Sequence, residues 1–163
     1  MRKISKVLVF VSIAFILTGC SKEKEKNDTN IPETIKEIYE AKNPHIGDNS
    51  ADSKLVELLM NYYKINDKYT IELITDKRPY ILILHFDSEP DKIKMLDISS
   101  CLLALVDNCN EVRWDYEKNK ELNTEYVKVK ESDVNKNLDM KSVKEYSQSL
   151  EKFNLLLEKL EDN

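Results

Sequence analysis

The sequence predicts an α+β domain, a small two- or three-layer sandwich with a mainly antiparallel sheet of three or four strands and helices packed on it. Three observations point there. Runs with apolar residues at helical spacing alternate with short runs of period two, and the two periods mark amphipathic helices and half-buried strands. The strand-like runs are joined by segments of very different length. Glycine is rare, with two in the chain, and 41% of residues are hydrophobic, enough for one core. Elements in this order fit helices packed against an antiparallel sheet.

From the N-terminal side of the domain, Pro32–Ala41 reads as a short helix. Pro32 sits in a favoured first-turn position, and Ile35, Ile38 and Tyr39 form one apolar face ended by Asn43-Pro44. A second helix carries Leu55, Val56, Leu58, Leu59 and Tyr62. Ser50 is its expected N-cap, Asp52 a first-turn acid facing the positive helix end, and Gly47 the turn residue before it. Tyr69–Thr75 alternates as a strand, residues 76–79 form a turn, and Tyr80–Phe86 forms the next strand. The short connection predicts a hairpin. The second strand is apolar on both sides, which predicts a central strand covered on both faces. His85 within it is expected as a buried, hydrogen-bonded histidine.

After a polar loop over Asp87–Lys92, Met95–Val106 is the most apolar helix, with Asp97 or Ser99 as its expected cap and Asn108 as its C-terminal cap. Glu111–Tyr116 alternates strictly, and Trp114 and Tyr116 are expected in the core. Tyr126, Val127 and Val129 mark a weaker fourth strand. In the last stretch Val143, Tyr146, Leu150, Phe153, Leu157 and Leu160 step by three and four. That seam predicts one helix over 140–161, capped by Asp139 and packed on the sheet. A coiled-coil contact is the alternative, but the pattern is short for one.

The first twenty residues stand apart. Arg2, Lys3 and Lys6 precede an apolar run from Val7 to Leu17, too short for the about 20 residues a spanning helix needs and patterned as a secretory signal. Leu17-Thr18-Gly19-Cys20 resembles the lipobox of bacterial lipoproteins. The resemblance implies cleavage after Gly19, a signal peptide over 1–19 and a diacylglyceryl group on Cys20. Two acyl chains make a persistent anchor, where one holds only marginally. Residues 20–30 then form the lipidated cysteine and a tether, since Ser21–Asn30 has no apolar residue to offset its ordering entropy. One domain follows over 31–163. The expected location is the outer face of the cell membrane, anchored by lipid.

Charge narrows the partners. The chain carries 30 acidic against 25 basic residues, and three of the basic ones lie in the signal. Phosphate binding is driven by Lys and Arg, so nucleic acid is excluded as a partner, and no polybasic patch serves anionic lipid. High Lys, Asn and Ile usage points to an AT-rich genome, as in Gram-positive bacteria. No cofactor is expected. His45 and His85 are the only histidines, and no metal-ligand spacing surrounds them. Cys101 and Cys109 are expected as free thiols. Eight residues of helix separate their backbones by roughly 10–12 Å, beyond the about 7 Å limit of a disulfide.

Three segments carry a family resemblance: NPHIGDNS with the helix after it, YTIELITDKRPYILILHF, and LLALVDNCNEVRW. In this order they resemble the bacterial domain-of-unknown-function family 4825, over roughly Ala41–Tyr116. The family pattern pairs a Pro-Tyr/His-Ile/Val-Gly-Asp/Asn-Asn-Ser turn, here Pro44–Ser50, with an Ala-Leu-Ile/Val-Asp-Asn segment, here Ala104–Asn108. Family members recur as lipoproteins and as extracytoplasmic parts of membrane sensors, and the resemblance supplies no reaction. Cys109 and the long C-terminal helix depart from the pattern.

The candidate binding cluster is therefore His45, Asp48, Asn49, Asp107 and Asn108, provided the two motif segments meet in space. No catalytic residue is assigned. Two classes of function are expected. One is a membrane-tethered binding or sensing module for an extracytoplasmic protein or the envelope, of which an immunity-type lipoprotein blocking a toxin is a special case. The other is an envelope-acting hydrolase, with His45 and Asp48 as general-base material and Ser50 or Ser53 as nucleophile. Against it, no nucleophile elbow, phosphate loop or zinc motif is present.

Overall fold

The computed structural model describes residues 31–116 and 127–162. The signal, Gly19, Cys20, the tether and Tyr126 lie outside the described residues. Within them the order is α1 (Glu33–Glu40), α2 (Asn49–Tyr62), β1 (Tyr69–Ile74), β2 (Ile81–Phe86), α3 (Lys92–Leu105), β3 (Glu111–Tyr116), β4 (Val127–Lys130), α4 (Glu131–Asn137), a 3₁₀ helix (Val143–Ser147) and α5 (Leu150–Glu161). The α+β prediction holds.

The sheet runs β1-β2-β3-β4. β1 and β2 form the predicted antiparallel hairpin, and β3 and β4 are also antiparallel. The central pair, β2 and β3, is parallel, with Leu84 opposite Trp114. Parallel neighbours need a crossover of a dozen residues or more, and α3 is that crossover. This position explains its composition. Residues Ile98–Leu105 are all buried, as expected for a helix packed between a sheet and other helices.

Alternate residues of the strands build the core. Leu82, Leu84, Phe86, Val112, Trp114 and Val129 join one cluster with Ile98, Leu102 and Leu103 of α3. Trp114 is fully buried and stacks on Phe86 at 5.4 Å. Its indole N–H donates to the Ser99 hydroxyl at 2.9 Å, which in turn donates to the Met95 carbonyl at 2.6 Å. Ser99 is thus a buried polar partner and not a helix cap. Asp91 caps α3, accepting from the amides of Ile93 and Lys94, so the helix starts earlier than its apolar pattern.

β2 is an inner strand buried on both faces, as expected. Ile81 and Ile83 are buried, yet they stand outside the common cluster. Ile83 lies between Glu72 and Arg113, and Ile81 beside Glu111. The aliphatic stem of Arg113 shields apolar surface while its head stays partly wet, and Glu111 is itself buried. Arg113 Nε also donates to Glu111 Oε1. His85 on this face is half-buried rather than buried. Its Nδ1 lies 2.8 Å from Asp115 and its Nε2 3.0 Å from Glu72.

The C-terminal stretch is two helices, not one over 140–161. Ser142 caps the 3₁₀ helix and Ser149 caps α5. Asp139, the expected cap, sits in the left-handed region with φ 47°. Both pieces still bury the predicted seam, through Val143, Phe153, Leu157 and Leu160. Both cysteines are buried and free, as expected.

Candidate functional site

The loop between α1 and α2 is knotted by a buried pair that the sequence did not single out for this role. Asp52, in the first turn of α2, is fully buried, and Asn43 nearly so. Asn43 Nδ2 donates to Asp52 Oδ1 at 3.0 Å and to the His45 carbonyl at 2.9 Å, while its Oδ1 accepts from the His45 amide at 3.1 Å. The second Asp52 oxygen accepts from the Gly47 amide at 2.8 Å. Every hydrogen-bonding group of the Asn43 amide and both carboxylate oxygens are therefore engaged. Burial pushes the Asp52 carboxyl above its ordinary range, with Asp48 adding to it, and the Gly47 and Asn43 donors pull the other way. Gly47 has φ +116°, open to glycine and strained for any other residue.

The two motif segments do meet. The Asn43 amide donates to the Leu105 carbonyl at 3.0 Å, and its carbonyl accepts from the Asp107 amide at 3.2 Å, a short parallel bridge at the end of α3. Asn108 Oδ1 accepts from the Ile46 amide at 2.7 Å. Asp48, not Ser50, caps α2, with Oδ1 accepting from the Ser50 and Ala51 amides at 3.1 Å each. Asp48 comes first because its short carboxylate reaches both amides, leaving Ser50 inside the first turn. Of the predicted cluster, Asn108 is half-buried, while His45, Asp48, Asn49 and Asp107 are exposed. Ser50 is exposed too, and Ser53 is half-buried on α2. The imidazole of His45 has no hydrogen-bond partner among the described residues.

Lys144 completes the assembly from the 3₁₀ helix. Its Nζ donates to the Val106 carbonyl at 2.7 Å and the Cys109 carbonyl at 3.1 Å. A cation at a helix C-terminus satisfies carbonyls left without intrahelical partners. Burial lowers the pKa of this ammonium, against the pull of Cys109, Glu131 and Asp107. The neighbouring Cys109 thiol is pushed up to about 11, chiefly by burial. Thiolate is the reactive form, so Cys109 is an inert core residue at neutral pH.

The arrangement neutralises backbone and side-chain polarity inside the fold. Aspartate in a first helical turn usually signals only the helix dipole, so Asp52 gave little sign of its partner. The Asn-Pro step at residues 43–44, which opens the loop with an amide side chain, is the sequence feature that points to it. Lys144 has no comparable signal, since it is one lysine among many.

The family described as Domain of unknown function (DUF4825) matches residues 38–131. The chain belongs to this family. The match takes in both motif segments of DUF4825 and the whole sheet, and ends at the start of α4. No curated protein and no solved structure matches the chain.

Proposed function

We propose that this DUF4825 protein is a lipid-anchored extracytoplasmic lipoprotein whose domain is a non-catalytic binding or sensing module. The observation that carries the reading is the use of the motif's polar groups. Asn43, Asp48 and Asp52 accept from backbone amides of their own loop and helix, and Asn108 accepts from the Ile46 amide of the other motif segment. A general base needs a proton-bearing group within about 3.2 Å in the reacting pose. The Asp48 carboxylate is instead committed to the helix end, which favours binding over the hydrolase alternative at His45, Asp48 and Ser50. The lipobox-like Leu17–Cys20 and the charged Ser21–Asn30 support the anchor and tether.

Two measurements test this. Mass spectrometry of the detergent-extracted chain is expected to find a diacylglyceryl group on Cys20, and Cys20→Ala is expected to release the protein from the membrane. An unmodified, membrane-bound Cys20→Ala chain defeats the anchor. Crosslinking in intact cells through a C-terminal tag, followed by mild extraction, is expected to capture a stoichiometric envelope partner. Turnover of an envelope substrate that His45→Ala and Asp48→Ala abolish would replace the binding reading with the hydrolase.

A further inference from the structure

The two edges of the sheet are built differently. β4 is four residues long and carries Lys128 and Lys130, and short strands with lysines are a usual defence of an exposed edge. β1 is six residues long, has no proline or lysine, and pairs only with β2 among the described residues. Its one charged residue, Glu72, is drawn onto the sheet face by His85. Among the described residues, β1 is therefore an undefended edge whose outer backbone groups pair with no other strand.

A helix flanks that edge. Asn49, Ser53 and Glu57 recur at every fourth position of α2, on one face, and with Tyr69, Thr70 and Ile71 they line a cavity of about 430 Å³. Two proximities place the helix along the strand. A Cβ on Gly47, just before α2, would lie 3.5 Å from Thr75, just after β1. Two turns into α2, Glu57 lines the same cavity as Tyr69, at the start of β1, and burial, with the Glu57 charge adding to it, raises the pKa of the Tyr69 phenol. Asn49 to Glu57 spans about 12 Å of helix, the length of about four strand residues. A second cavity, of about 810 Å³, continues past Tyr69 and Thr70 to Asp67, Lys68 and Asp87. Among the described residues, Lys68 is the only lysine or arginine lining either cavity, beside His85 and against Glu57, Asp67 and Asp87.

We infer that the groove between α2 and the outer edge of β1 binds an extended, basic peptide segment, which adds to the sheet as a strand beside β1. In such recognition main-chain hydrogen bonds provide affinity and alternate side chains provide specificity. The free edge supplies the hydrogen bonds, and the acidic walls select lysine or arginine on the alternate side chains that face them. The inference rests on the binding-module reading and gives it a location.

The test uses the purified full-length chain in detergent and two fluorescein-labelled peptides of about eight residues, one alternating Lys and Val, the other Glu and Val. Anisotropy is expected to show binding of the Lys–Val peptide alone. Amide resonances of Tyr69–Ile74 are expected to shift and gain exchange protection. Glu57→Lys, an exposed change on α2, is expected to weaken binding by about tenfold with unchanged urea stability. Equal binding of both peptides, shifts confined to other surfaces, or no binding by either peptide overturns the proposal. Concentration-dependent dimerisation that protects the same amides without peptide also overturns it, and makes a second copy the occupant. A partner captured in cells with no peptide binding at β1 would leave the binding module standing and remove only this groove.

Discussion

Truncating Asp52 is expected to unfasten the loop before α2. The perturbation removes the acceptor of two buried donors, Asn43 Nδ2 and the Gly47 amide. Hydrogen bonds to a charged group contribute about 1.5–3 kcal/mol each. Part of that gain is offset by the cost of holding a carboxylate away from water, the same cost that raises its pKa. The net loss for Asp52→Ala is expected at about 2–4 kcal/mol. Asp52→Asn keeps the volume but points an amide N–H at a donor, for a loss of about 1–3 kcal/mol. Asp48→Ala removes only a helix cap, for about 1 kcal/mol. Trp114, the single tryptophan, is buried against Phe86 and reports unfolding without a label. Urea titrations followed by its fluorescence should rank the variants in that order. A loss below about 0.5 kcal/mol for Asp52→Ala, the range of an ordinary surface change, would refute the clasp.

Asp97 tests electrostatics. Burial, then Asp91 and Glu161, push its carboxyl up to about 6 from 3.8, so the fold holds a proton that the unfolded chain releases. Stability therefore falls as pH rises from about 4 to about 6, and is level above that. Asp97→Asn is expected to gain about 1 to 1.5 kcal/mol over the native chain at pH 8, half the full value because Asp97 keeps contact with water. Urea midpoints at several pH values check this, and a gain that does not shrink in acid contradicts it. Ser99→Ala strands the Trp114 indole N–H and should lose about 1–3 kcal/mol. In a double-mutant cycle with Trp114→Phe the losses should be less than additive. Lys144→Met keeps the aliphatic stem and loses two bonds to carbonyls, so a loss of about 1–3 kcal/mol is expected, with faster amide exchange at Asp107–Asn110.

Most of the fold was legible because its strands alternate and its helices carry seams. The strands of the hairpin, the apolar body of α3, β3 and the buried face of α5 follow from period, and the hairpin itself from its short connection. The errors have physical causes. The first turn of α3 holds Ile93, which is 71% exposed, so the apolar period pointed to a later start and a wrong cap. The 3₁₀ helix and α5 bury side chains in one core, so their combined spacing looked continuous across the break at Ser149. α4 buries one residue, Val134, within the helix, too little for a period to register. The parallel pairing of β2 and β3 leaves no local mark, since it is decided by where α3 packs. At the motif, the meeting of Pro44–Ser50 with Ala104–Asn108 was foreseen as a condition, whereas the Asn43–Asp52 pair depends on burial that sequence does not display.

The family match stops at residue 131, but the physical unit does not. Lys144 caps the end of α3 from beyond that boundary, and Val143, Phe153, Leu156 and Leu157 belong to the same core as Trp114. A recombinant fragment trimmed to the family match would open a large apolar wound and leave the carbonyls of Val106 and Cys109 without their cation. The segment after residue 131 is thus a lid sewn onto the DUF4825 framework, and any transplant of this domain into another protein must carry it along.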